Sequence, residues 1–190
     1  MAKRYSHGMP SNRRGGPAYP FAPKSNVHLE PGQFWAVPLT DGRFACGRVL
    51  DVKRHDDGDP DARYLNNRAF LAGLLDWTGE EPPSGDSIIG AKLVDQGQAH
   101  IRTILQSGGF VLGHRPLEAD GIRPLRWVGA HGPPHYLYQG YVRLRPATPE
   151  ECRSLRPLGA WSVQYIWGRA EVRFVQGRTP LDDPLASPFS

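Results

Sequence analysis

The stretch Gly32–Leu50 constrains the fold more than any other part of this chain. It reads Gly-Gln-Phe-Trp-Ala-Val-Pro-Leu-Thr-Asp-Gly-Arg-Phe-Ala-Cys-Gly-Arg-Val-Leu. Two apolar runs flank a polar turn at Asp41-Gly42. That dipeptide tolerates the positive φ angles of a tight turn, so the pattern predicts a β-hairpin over 33–52. Successive strand residues point to opposite faces. Phe34, Ala36 and Pro38 therefore share one face, and Trp35, Val37 and Leu39 the other. Both faces are apolar, as expected of a strand covered on two sides or of the curved wall of a barrel. Pro38 has no N–H for the ladder, which puts that point at an edge or a bulge.

Further elements follow along the chain. Ala69–Trp77 is short and apolar and reads as a buried strand, and Ser87–Leu93 as a short strand or loop. Gln98–Gln106 has Ile101, Ile104 and Leu105 at helical spacing, with Gly108-Gly109 to end a helix. Phe110–Leu112, Leu125–Val128 and Tyr136–Leu144 read as strands. Thr148-Pro149-Glu150-Glu151 is a helix start: Thr148 caps, Pro149 suits the first helical position and Glu151 completes a capping box. Pro157 stops that helix. Trp161, Val163, Tyr165 and Trp167 alternate with other residues ahead of Val172–Val175, which predicts a strand or hairpin with one aromatic face. The expected fold is a β-rich α+β domain over 27–176, a strongly bent antiparallel sheet or partly open barrel with two short helices. A C-terminal tail runs from 177 to 190.

The isoelectric point of about 9.3 suggests a nucleic-acid partner until the charges are located. Residues 1–26 carry Lys3, Arg4, Arg13, Arg14 and Lys24 and no acid. With a net charge of +4 for the whole chain, the remainder is close to neutral. The basic character therefore belongs to a Pro- and Gly-rich arm, read as flexible, and not to the body. The two cysteines, Cys46 and Cys152, are too few for a disulfide framework, and Cys46 reads as a small buried hydrophobe. No apolar run is long enough to span a bilayer. These features point to a cytoplasmic protein with reduced thiols.

The sequence holds no nucleotide-binding, zinc-protease or nucleophile-elbow motif. Asp56, Asp57, Asp59 and Asp61 crowd one turn-rich loop, but their spacing departs from that of an EF-hand, so they read as a solvated acidic loop. His131 and His135 stand four apart in a Gly-Pro segment, where the helical geometry of a metal pair is lacking. Neither a cofactor nor a metal is expected. An enzyme built on His114, His131 or His135 is the weakest reading. His114, Arg115, Arg123, Arg126, Trp127, His131, His135, Tyr136 and Tyr138 all fall in one turn-rich segment. Arg, Trp and Tyr dominate binding hot spots, and they also suit base stacking and phosphate contacts. As plain structure, Trp127 and Tyr138 would be core and the arginines solvated.

The hairpin resembles the opening of the bacterial immunity protein 26 family. The shared pattern is Gly32, the apolar run with Pro38-Leu39, the Asp41-Gly42 turn and the Gly47-Arg48-Val49 strand. The resemblance implies a small cytoplasmic protein of a polymorphic toxin system that binds a cognate toxin domain and blocks it. It brings no catalytic residues. On this reading Arg115, Arg123, Arg126, Trp127, His131, His135 and Tyr136 anchor the toxin, and Asp56, Asp57, Asp59 and Asp61 meet its basic residues. The competing expectation is a nucleic-acid-associated barrel module whose basic arm lies on phosphates.

Overall fold

The computed structural model describes residues 17–53, 67–129 and 133–178. The acidic loop at 56–61, His131, most of the basic arm and the end of the C-terminal tail lie outside the described residues. Among the described residues the fold is β-rich α+β, with two antiparallel sheets and no closed barrel.

The expected hairpin is present as β1 (Gln33–Pro38) and β2 (Phe44–Asp51). Leu39 N–H donates to the Arg43 carbonyl at 2.8 Å, leaving Thr40, Asp41 and Gly42 as the connection. Gly42 alone of the three takes a positive φ, at 88°. That is the left-handed position of a three-residue hairpin loop. The Asp41 carboxylate accepts from Arg43 N–H at 3.0 Å and from Arg43 Nε at 2.8 Å, which fixes the turn.

β3 (Ala69–Gly79), β4 (Leu93–His100) and β5 (Gly113–His114) complete a five-stranded sheet in the order β4-β3-β2-β1-β5. Register shifts between β2 and β3 and between β3 and β4 bend it, as bulges do. β5 pairs only with Gln33 and Phe34, so Pro38, at the far end of β1, has an open flank and is exposed. Its missing N–H therefore costs no ladder bond.

Both faces of this sheet are buried, as the alternation in the hairpin requires. Trp35, Val37 and Leu39 lie in one core with Val49, Phe70 and Leu74. Phe34, Cys46, Leu50, Leu71 and Leu75 lie in the other, closed by Ile88, Leu117 and Ile122 from turns. Each fully buried side chain of this size contributes about 1.5–3 kcal/mol. Gly47 sits opposite Trp35, and the indole fills the space that a Cβ at Gly47 would need.

A second sheet has the order β6-β7-β8, from β6 (Arg126–Val128), β7 (Tyr136–Gln139) and β8 (Val142–Pro146). It is tied to the first at two points. The Asp51 carboxylate, at the end of β2, accepts from Tyr141 N–H at 2.8 Å, while Tyr141 packs against the second core. The Gln96 side chain, from β4, accepts from Leu125 N–H at 2.6 Å and donates to the Leu125 carbonyl at 2.9 Å.

The helices are α1 (Arg102–Gln106), α2 (Pro149–Ser154) and α3 (Tyr165–Ala170), and α3 runs into one π-helical turn, Glu171–Val175. The capping box of α2 forms as expected between Thr148 and Glu151. Three expectations need correction. Gln98–His100 is not helical but belongs to β4, because Ala69–Leu71 pairs with it. Tyr136–Leu144 is not one strand but two, β7 and β8, reversed at Gly140-Tyr141. The aromatic strand expected over 161–175 is instead α3 and its π-helical turn. Trp161 and Tyr165 stack at 5.2 Å, and Ile166 and Ala170 are fully buried. Ile166 and Ala170 are one helical turn apart within α3, while Trp161 precedes the helix. Among the described residues, no helix is long and apolar enough to cross a membrane.

Candidate partner-binding face

The second sheet gathers much of the Arg, Trp and Tyr segment. Trp127 lies opposite Tyr138, and Tyr138 opposite Arg143. Strand alternation brings Tyr136 to the same face. The result is an aromatic surface on three strands. Trp127 and Tyr138 stack at 4.3 Å with ring planes 11° apart, and the Arg143 guanidinium lies 4.7 Å above the Tyr136 ring. Trp127 Nε1 donates to the Gly140 carbonyl at 2.8 Å, which fixes the indole along β7. All three aromatics are half-buried and Arg143 is exposed. The opposite face carries the buried Val128 and Leu137, so the sheet has one inward and one outward side.

The other expected anchors within the described residues are divided between this face and other parts of the fold. Arg123 is exposed in the lead-in to β6, and Arg126 is exposed on β6 with its side chain on the face opposite Trp127. His135 is half-buried, with Nδ1 at 3.1 Å from the Gly129 carbonyl. Arg115 is engaged elsewhere: its Nε donates to both oxygens of Asp120, at 2.8 and 3.0 Å. Arg143, absent from the expected anchors, joins the face through strand register. The clue in the sequence was its place in the strand after Tyr136 and Tyr138. A shift in register between Leu137 and Tyr138 hides which ring it meets.

Asp120 also receives Arg48 of β2, which sequence reading had placed in the family pattern without a role. Arg48 is fully buried; its Nη2 donates to the Arg115 carbonyl and lies 3.4 Å from Asp120 Oδ2. Nε and Nη1 have no hydrogen-bond partner, and the guanidinium lies 5.9 Å from the centre of the Phe34 ring. Burial draws it below its ordinary value and the Asp120 carboxylate opposes that. This pair staples the 115–120 turn beneath the sheet.

Two groups of the kind used in bond-making, Cys46 and His114, are tied into the fold. Burial pushes the Cys46 thiol up to about 12, so it is an inert, protonated thiol at neutral pH. His114 Nε2 is 3.0 Å from the Pro31 carbonyl. Among the described residues, no group of three His, Cys, Asp or Glu side chains could hold a metal ion.

The fold thus combines a bent sheet packed on both sides with an appended sheet that turns aromatics and arginine outward. Residues 30–123, just under half of the chain, match the family model described as Immunity protein 26. That segment is similar to the immunity protein 26 family, the family the hairpin resembles. It spans β1 to β5 and stops before β6, so the second sheet and the C-terminal helices lie beyond it. No curated protein and no solved structure matches the chain.

Proposed function

We propose that this chain is a non-enzymatic immunity protein. It binds a cognate bacterial toxin domain in the cytoplasm of the producing cell and neutralises it by stoichiometric occlusion, in competition between bacteria. The observation that carries this reading is the family match, which spans every strand of the five-stranded sheet. The mechanism is surface complementarity. Trp127, Tyr136 and Tyr138 supply rigid apolar area, and Arg123, Arg143 and His135 supply polar contacts around it. The acids at 56–61 are a second proposed contact, for basic residues of the toxin. About 800 Å² per partner is enough for a stable complex.

Coexpression tests this. The toxin to use is the variable C-terminal domain of a large open reading frame encoded beside this chain. Cells producing both proteins should survive, and the two should copurify one to one. Death of those cells with no complex formed would overturn the reading. Salt separates it from the nucleic-acid alternative. A phosphate binder loses on the order of a thousandfold in affinity from low to moderate salt, and a hot-spot complex far less.

A further inference from the structure

Charge is divided unevenly along this chain. The family-matching segment 30–123 has fourteen acidic and ten basic side chains. Residues 124–149, which build the second sheet, have Arg126, Arg143 and Arg145 and no acid at all. Of these, Arg145 is neutralised by Glu151 through contacts of 2.7 and 2.8 Å. Arg126 and Arg143 are exposed and have no carboxylate partner among the described residues. A cationic, aromatic appendage thus stands on an acidic scaffold.

The geometry at Arg143 narrows what it can hold. The guanidinium lies over the Tyr136 ring and makes no hydrogen bond or ion pair among the described residues, so its N–H donors are left for a ligand. A carboxylate fits that fork with two parallel hydrogen bonds. Strand addition to the neighbouring edge is disfavoured, although β8 is exposed along its whole length. Its register with β7 shifts at Leu144, and Arg143 and Arg145 flank that point; bulges and charges blunt an edge. Base stacking is disfavoured too. Trp127 and Tyr138 already cover one face of each other, and Arg143 covers one of Tyr136.

We infer that the outward face of β6–β8 receives a carboxylate-bearing loop of the toxin, with Arg143 clasping one carboxylate and the Trp127–Tyr138 stack covering the adjoining apolar side chain. This rests on the proposed immunity function and names the chemistry its partner must present. Because β6–β8 lies outside the family-matching segment, it also makes this sheet the part that selects the toxin.

The test measures binding of full-length chain to the neighbouring toxin domain named above. Three forms are compared: the wild type, Arg143→Glu and Arg153→Glu. Arg153 is exposed on α2 and carries the same change in charge away from the face. Arg143→Glu should weaken binding at least tenfold and leave the thermal midpoint unchanged. Arg153→Glu should weaken it less than twofold. Equal binding by wild type and Arg143→Glu, or equal losses in both variants, overturns the inference while the immunity function stands. Tight binding of a twelve-nucleotide single-stranded RNA that Arg143→Glu abolishes also overturns it. If the wild type does not bind the toxin domain, the function and the inference fall together.

Discussion

Glu171 and Thr40, 131 positions apart, are joined by two hydrogen bonds: the Glu171 carboxylate accepts from Thr40 N–H at 2.6 Å and from the Thr40 hydroxyl at 2.8 Å. Glu171 is buried in the π-helical turn that follows α3, and Thr40 lies in the β1–β2 loop. Arg43 adds a bond from Nη2 to the Phe174 carbonyl at 2.9 Å. The C-terminal helix therefore clamps the tip of the hairpin. Glu171→Ala should destabilise the protein by about 2 kcal/mol, since bonds to a charged acceptor contribute about 1.5–3 kcal/mol. For a chain of this size that lowers the thermal midpoint by about 4–8 °C. Calorimetry of the two forms checks it.

The capping box at α2 makes a pH prediction. The Arg145 hydrogen bonds first, and then the Thr148 backbone N–H, hold the Glu151 carboxyl down at about 2, against an ordinary value of 4.5. A depressed carboxyl stabilises the fold above its unfolded value and loses that effect as it becomes protonated. The stability difference between wild type and Glu151→Gln should therefore be constant above about pH 5 and shrink as pH falls from 4.5 towards about 2. Urea unfolding across that range measures it. A difference that grows on acidification has the wrong sign.

Removing one member of the buried Arg48–Asp120 pair should cost more than removing both. Asp120→Ala leaves the Arg48 charge uncompensated beneath the sheet, with an expected loss of about 3–5 kcal/mol. Adding Arg48→Met removes that charge at similar volume and should recover part of the loss. Denaturant midpoints of the single and double variants give the coupling.

The hairpin was legible because its information is local. Asp41-Gly42 sets the turn, and the apolar alternation of Phe34 to Leu39 sets two-sided burial. The α2 capping box was legible for the same reason: Thr148 and Glu151 are three residues apart. What failed depended on distant partners. Gln98 has helical neighbours in sequence, yet pairing with Leu71 makes it strand. Trp161 to Trp167 alternates like a strand and carries a helical period of four as well. The bond from Trp161 N–H to the Gln98 carbonyl, at 2.8 Å, seats the start of that segment on the edge of β4. At the candidate face, Trp127, Tyr136 and Tyr138 could be picked by residue type. Arg143 could not, because the register shift in β7–β8 decides which ring it covers. Arg115 stands out by residue type alone, and its pairing with Asp120 in the following turn has no local signature.

Hydrogen exchange, measured on the chain alone and saturated with the toxin domain, tests the location of the binding face most directly. Binding should slow exchange at amides of β6–β8, within 126–128 and 136–145, and leave the doubly covered strands β2 and β3 unchanged. New protection confined to the five-stranded sheet or the α3 surface, with β6–β8 unaltered, would contradict it.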